Sequence, residues 1–416
     1  MSFNDLNLFP LERDPIPLFP MRQKLVDAPL PDVEAAVRAE LMRAGLAEEV
    51  HTGQRIAITA GSRGIASIPD VLRAVASSVK SLGAEPFLVP AMGSHGGATA
   101  VGQIDMLASL GIAPESIGAP ILSSMETVRL GFTDSGIPVY LDRHAAEADG
   151  ILVVNRIKQH TDYSGPFESG LMKMISIGLG KRDQAEVIHA HGTSGLRTLV
   201  PEVARFKIEH SPIRMGLALF EDARDQLTEV RACRAADIEA NEKKWLEEVR
   251  RNAARLPFET IDLLIVDRVG KDISGAGMDT RVIGRMLIPG EPEPDRPQIE
   301  RIVGLDLTEA THGNAIGVGL CDVVTRRMVD KIDWNATYIN SIVSNAPQRG
   351  FVPIVMPDDR SAIDTALTLL SRKSVLEMRI VRISSTLDVE NLFCSEALLV
   401  EDSPTLTRVD GEPVWV

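Results

Sequence analysis

Positive charge is in short supply: 44 Lys and Arg stand against 58 Asp and Glu, a formal net charge of −14. Such a surface repels phosphate backbones and anionic headgroups, so neither nucleic acid nor a membrane is an expected partner. Cysteine is scarcer still. Cys233, Cys321 and Cys394 lie far apart and form no C-x-x-C pair, which argues against a disulfide framework and a thiolate zinc site. No apolar stretch reaches the length of a membrane span. The opening residues, MSFNDLNLFPLERDPIPLFP, lack a basic region followed by an apolar run, so no signal peptide is expected and the expected location is cytoplasmic. There is no H-E-x-x-H, no G-x-G-x-x-G after the first strand, and only a fragment of a phosphate loop in Gly178-Leu179-Gly180-Lys181. These absences disfavour a helical zinc site, a nicotinamide dehydrogenase and an NTP-binding enzyme. No repeat of 20–50 residues is visible.

What is present is ordinary globular composition, 44% hydrophobic and 25% charged over 416 residues, enough for two domains. Residues 1–30 read as an extended arm, and 31–48 as an amphipathic helix. Strands at 55–60, 86–90 and 150–155 then alternate with helices, and Asp134-Ser135-Gly136 marks a hairpin. A polar helix at about 235–256 reads as a connector, after which the alternation restarts at 261–267. A helix over 314–330, a strand at 338–343 and a last strand at 378–384 are predicted. The expectation is an α/β fold: two α/β domains with mainly parallel sheets and an active-site cleft between them. The N-terminal domain would span 1–255, with the arm and connector, and the C-terminal domain 256–416.

In parallel α/β sheets ligands bind beyond the carboxyl ends of the strands. Four such ends carry unusual residues: Gly61-Ser62-Arg63-Gly64, Gly93-Ser94-His95-Gly96-Gly97, Arg156 to His160, and Arg268 to Asp272. Arg63 between glycines suits a carboxylate, although a capping arginine would read the same way. His95 on a glycine-rich loop has little packing to justify it, so a base or ligand role is favoured over a solvated histidine. Lys173 sits in an apolar stretch, LMKMISIGLG, where a lysine must snorkel, pair or act as a nucleophile. His189 and His191 lie two apart, a spacing that does not put both on one helical face. In the second half, Lys271 ends a strand, and Thr311-His312-Gly313-Asn314 is read as opening a helix, whose N-terminus would favour anions. Plain surface or capping roles compete for both.

The ordered set Ser62-Arg63, Gly93-Ser94-His95, His160, Lys173 and His189 resembles the nickel-pincer-dependent lactate racemase family, 2-hydroxy-acid racemases and epimerases, over residues 55–192. The Lys173-to-His189 interval of 189 − 173 = 16 matches that family. The resemblance implies a nickel-pincer nucleotide, nickel pyridinium-3,5-bisthiocarboxylic acid mononucleotide, held covalently by Lys173, with Gly93 and Ser94 in its cradle and His189 as the protein's nickel ligand. It implies His95 and His160 as the two catalytic bases. Arg63, with Lys271 and His312, would bind a small 2-hydroxy acid whose C2 is inverted by hydride transfer. Three features depart from the family: Ala60 and Gly64 replace an aspartate and a proline, the His160-to-Lys173 interval is longer, and GKDISGAGMDTRVIGR (270–285) replaces a G-G-x-P-x-D segment. The added Thr161, Asp162, Tyr163 and Glu168 would suit a sugar acid with the same cofactor. A binding or sensor protein on the same scaffold is the reading from another class, and a homo-oligomer is left open.

Overall fold

The computed structural model describes residues 14–25, 28–62, 64–370, 374–399 and 405–416. The chain divides into two compact units, residues 27–253 and residues 1–26 with 254–416. Sixteen strands are described. In chain order they are β1 (Pro17–Gln23), β2 (Arg55–Ala60), β3 (Glu85–Pro90), β4 (Thr127–Phe132), β5 (Pro138–Asp142), β6 (Gly150–Arg156), β7 (Ile213–Glu221), β8 (Leu227–Arg234), β9 (Thr260–Val269), β10 (Gln298–Leu307), β11 (Val323–Thr325), β12 (Ile354–Met356), β13 (Ile380–Ile383), β14 (Asn391–Ser395), β15 (Leu406–Arg408) and β16 (Val414–Trp415).

The unit of residues 27–253 is built on a five-stranded sheet in the order β3-β2-β6-β7-β8. Its first four strands run parallel, and β8 returns antiparallel along β7. A parallel strand covered on both faces must be apolar throughout rather than alternating. β2 and β3 meet that demand, with every residue after the first buried. The crossover helix Ile68–Ser81 turns Ile68, Val71, Leu72, Val75 and Val79 inward at helical spacing. Each such side chain contributes roughly 1.5–3 kcal/mol by leaving water. β4 and β5 form the expected hairpin as a separate two-stranded sheet. The amphipathic helix at the start is shorter than its pattern suggested. It runs Val33–Arg43 and breaks at Gly45, whose φ of +91° is open to glycine but strained for other residues.

The other unit carries a nine-stranded mixed sheet in the order β12-β11-β10-β9-β13-β14-β1-β15, with β16 also on β1. Here the expectations fail in four places. Residues 17–23 are a strand: β1 pairs antiparallel with β14, β15 and β16. The helix expected over 314–330 is a string of turns, the short strand β11 and a five-residue helix, Arg326–Asp330. Gly317 and Gly319 explain this, because an added Cβ would fall 1.7 Å from Ala276 O and 1.9 Å from Gln348 O. The strand expected at 338–343 belongs to the helix Trp334–Val343, started by Asp333, whose side chain accepts from the Ala336 amide. The strand at 380–383 is followed by three more.

Candidate functional site

β2, β3 and β6 are neighbours in the sheet, so their carboxyl ends bring three of the singled-out loops together. The β2 loop delivers Ser62, and the β3 loop delivers His95. Ser62 Oγ lies 2.5 Å from His95 Nδ1. The His95 loop is shaped from below. The buried amide of Gln103 donates to Gly93 O at 3.0 Å and to His95 O at 3.2 Å. Lys181, also buried, donates to Gln103 Oε1 at 3.1 Å and to Pro90 O at 2.5 Å. It forms an ion pair with Asp142 at 3.1 Å that is not aligned as a hydrogen bond. Burial lowers the Lys181 pKa, and Asp142 opposes that. The phosphate-loop fragment thus ends in a structural lysine.

The β6 loop delivers His160. Glu168, fully buried, organises it by accepting from the His160 amide at 2.5 Å, the Gly165 amide at 3.3 Å and the Arg250 guanidinium at 2.5 Å. The Tyr163 ring lies 4.7 Å from the His160 ring, and its hydroxyl donates to Phe167 O and Glu168 O. Burial pushes the Tyr163 hydroxyl above its usual range. Tyr163 and Glu168 are therefore framework inside the loop, whereas Thr161 and Asp162 keep partial exposure. The Asp162 amide donates to His160 Nδ1 at 3.1 Å. A neutral His160 then carries its proton on Nε2, an assignment that follows from the hydrogen bond.

Lys173 ends a single helical turn, Leu171–Lys173, which runs into a π segment, Met174–Gly178. Such segments are rare and concentrate at functional sites. Leu171, Met172, Met174 and Ile175 are all buried, while Lys173 is half-buried. The next helix, Lys181–His189, ends on His189. His189 has its pKa lowered, first by desolvation, then by the positive charge of Lys173, with Asp162 acting the other way. The residue as a whole is nevertheless exposed. His189, Lys173 and Asp162 thus share one electrostatic neighbourhood, and Asp162 ties it to the His160 loop. His191 is exposed, with Nδ1 3.1 Å from Val187 O.

The loops after β2 and β3 rest on this segment. The Gly93 amide donates to Gly178 O at 3.3 Å, and a Cβ on Gly93 would lie 3.1 Å from Ile177 Cγ2. Gly93 also has φ +60°. A Cβ on Gly61 would meet Met174 Cε at 3.1 Å. Ser94 is exposed beside His95.

Arg63 lies outside the described residues. Lys271 and His312 belong to the other unit. The Lys271 amide donates to Thr311 Oγ1 at 3.0 Å. His312 is exposed at φ +49° and ends the short turn Glu309–Thr311, so no helix N-terminus stands there as an anion site. Sequence reading missed Gln103, Arg250 and the structural use of Glu168; Gln103 meets Lys181 78 residues away and Arg250 meets Glu168 82 residues away. Ser62 was visible only as part of a motif. Among the described residues no group of three or more His, Cys, Asp or Glu could hold a metal ion. A cavity of about 550 Å³ opens elsewhere in this unit, beside Arg43, Arg231 and Trp245. Arg43 is paired with Glu40, and Arg231 with Glu229 and Glu248.

The fold and this loop cluster define an α/β protein with a polar site at adjacent strand ends. Residues 20–197 match the family described as the lactate racemase N-terminal domain. The lactate racemase apoprotein from Thermoanaerobacterium thermosaccharolyticum shares the fold, with a TM-score of 0.51 at 13% identity, covering 88% of this chain and 94% of that one. A protein of known crystal structure from Thermotoga maritima gives a TM-score of 0.49 at 14% identity, covering 68% and 72%. No curated protein matches the sequence.

Proposed function

We propose that the protein is an isomerase that inverts C2 of a small 2-hydroxy acid. The observation that carries this reading is the coupling of Lys173 to a neutral-leaning His189 beside the His160 loop, within a lactate racemase-type domain. By the resemblance, an amine and an imidazole are the two groups that a nickel-pincer nucleotide takes from the protein, and the lowered pKa of His189 favours the uncharged form that ligates a metal. The chain's residues fit that group: Lys173 would hold it covalently and His189 would ligate its nickel. When bound, it would supply a hydride acceptor for the substrate carbon.

The rest falls to the two other histidines. When His95 Nδ1–H donates to Ser62 Oγ, Nε2 keeps its lone pair and can take the substrate hydroxyl proton. His160, in its imidazolium form, can return a proton through Nε2 and is left as the neutral ring with a lone pair for the next transfer. The reverse conversion exchanges the roles. The pair needs one neutral imidazole as base and one imidazolium as acid, two forms that histidine can adopt near neutral pH. Because Tyr163 and Glu168 are committed to the loop, the reading favours a small acid over a sugar acid.

The test is expression in a host that makes the cofactor, beside a host that does not. The expected result is nickel and added mass on Lys173 only in the first, with loss of optical purity of a 2-hydroxy acid in a substrate screen. Racemisation by a Lys173→Ala protein free of nickel would overturn the reading.

A further inference from the structure

Two charged side chains in this unit are buried almost completely and have no part in the chemistry above: Glu242 is 1% exposed and Lys207 is 0% exposed. Both end on the segment that carries Lys173. The Glu242 carboxylate, on the helix Ile238–Asn252, accepts from the Met172 amide at 2.8 Å. It approaches so closely that a Cβ on Gly170 would fall 2.2 Å from Glu242 Oε1. The glycine is what admits it. Lys207, on the helix Gly192–His210, donates to Ile175 O at 3.1 Å and to Ser176 O at 2.7 Å.

The target of Lys207 follows from the π geometry. A regular α-helix would send the Leu179 and Gly180 amides to Ile175 O and Ser176 O. Instead the Leu179 amide donates to Met174 O at 2.9 Å, and the Gly180 amide to Ile177 O at 3.2 Å. The two diverted carbonyls are the two that Lys207 takes. Ser176 Oγ adds a bond to Met172 O at 2.9 Å. Burying an ion is costly unless its hydrogen bonds are well placed. Here one ionisable group meets the start of the Lys173 turn, and the other meets the widened turn that follows.

We propose that Glu242 and Lys207 are positioning residues for Lys173: the carboxyl clamps the entry to its turn, and the ammonium holds the π segment that follows. The inference deepens the proposed function, since it rests on Lys173 being the cofactor-bearing amine. Its consequence is that the amine is aimed before any cofactor arrives, and that aim depends on two distant helices.

The experiment measures acylation of Lys173 by an amine-reactive ester in the cofactor-free full chain, by peptide mass spectrometry across pH. Exposed Lys243 is the internal control. Glu242→Gln keeps an oxygen to accept the Met172 amide, so Lys173 should label as in the wild type. Glu242→Leu and Lys207→Met should change the Lys173 rate by about fivefold or more and shift its pH profile, the scale of a lost hydrogen bond, while Lys243 is unmoved. If either apolar variant fails to fold, Gly170→Ala displaces the carboxylate and Lys207→Gln, one bond shorter, draws its donor back from the two carbonyls, and a shift of the Lys173 profile is expected from both. Lowered melting temperatures with an unchanged Lys173 profile would overturn the proposal, leaving the pair merely structural. A chain that never acquires nickel, yet whose Lys173 labelling follows Glu242 and Lys207, would support the positioning and overturn the proposed function alone.

Discussion

Replacing Glu242 by glutamine should change how stability depends on pH. Burial raises the Glu242 carboxyl from 4.5 to about 7, against the opposing pull of the Met172 and Leu171 amides. Oε1 has no hydrogen-bond partner among the described residues, which is consistent with that cost. The sign follows from linkage. A carboxyl whose folded pKa is raised binds more protons folded than unfolded between pH 4.5 and about 7, so stability falls as pH rises through that window. The penalty is absent below the unfolded value and complete above the folded one. At 1.36 kcal/mol per pH unit it reaches about 3 kcal/mol. Between pH 5 and 8 the wild type should therefore lose roughly 2–3 kcal/mol relative to Glu242→Gln. Trp245 is a built-in reporter, buried three residues along the same helix. Urea titrations followed by its fluorescence, in a Trp334→Phe and Trp415→Phe background at constant ionic strength, give the difference directly. Any constant offset from the glutamine NH2 drops out, because only the pH slope is read. A stability gap flat from pH 5 to 8 would refute the argument and return Glu242 to an ionised clamp.

In the cofactor-free chain, the His189 imidazole should titrate below 6.5 by NMR. Lys173→Met should raise it and Asp162→Asn lower it further, since their charges act in opposite directions; no response to either would break the link between the two segments. Lys173→Ala should fold yet show no added mass after growth with the cofactor-making enzymes. His95→Ala and His160→Ala should keep nickel and lose about 10²–10⁴-fold in turnover, as lost general-base assistance does; retained turnover in either would remove it from the mechanism. Arg250→Ala leaves the fully buried Glu168 without its cation. It should cost roughly 3–5 kcal/mol in denaturant titrations and loosen the amides of residues 160–168 in hydrogen exchange, and unchanged protection there would contradict the role given to this pair.

Much of the unit of residues 27–253 is legible locally. The buried runs of β2, β3 and β6, the helix between the first two, and the loops holding Ser62, His95 and His160 all signal within a few residues of themselves, through periodicity and glycine placement. Lys173 also stands out locally, as a charge in an apolar stretch. The misreadings have another origin. Residues 17–23 look like a loose arm because their partners, β14 to β16, lie more than 360 residues away. The β-branched residues of 338–343 follow a strand propensity that the Asp333 cap and helix packing override. The glycines near 317 matter because another stretch of backbone presses on them. Glu168 with Arg250, and Glu242 and Lys207 on the Lys173 segment, carry no sequence signal at all. Propensity and pattern report a residue's relation to its next four neighbours, so the sequence determined the strands, helices and reactive side chains. Which buried ion meets which backbone group depends on the packing of distant elements, and that was decided only by the tertiary structure.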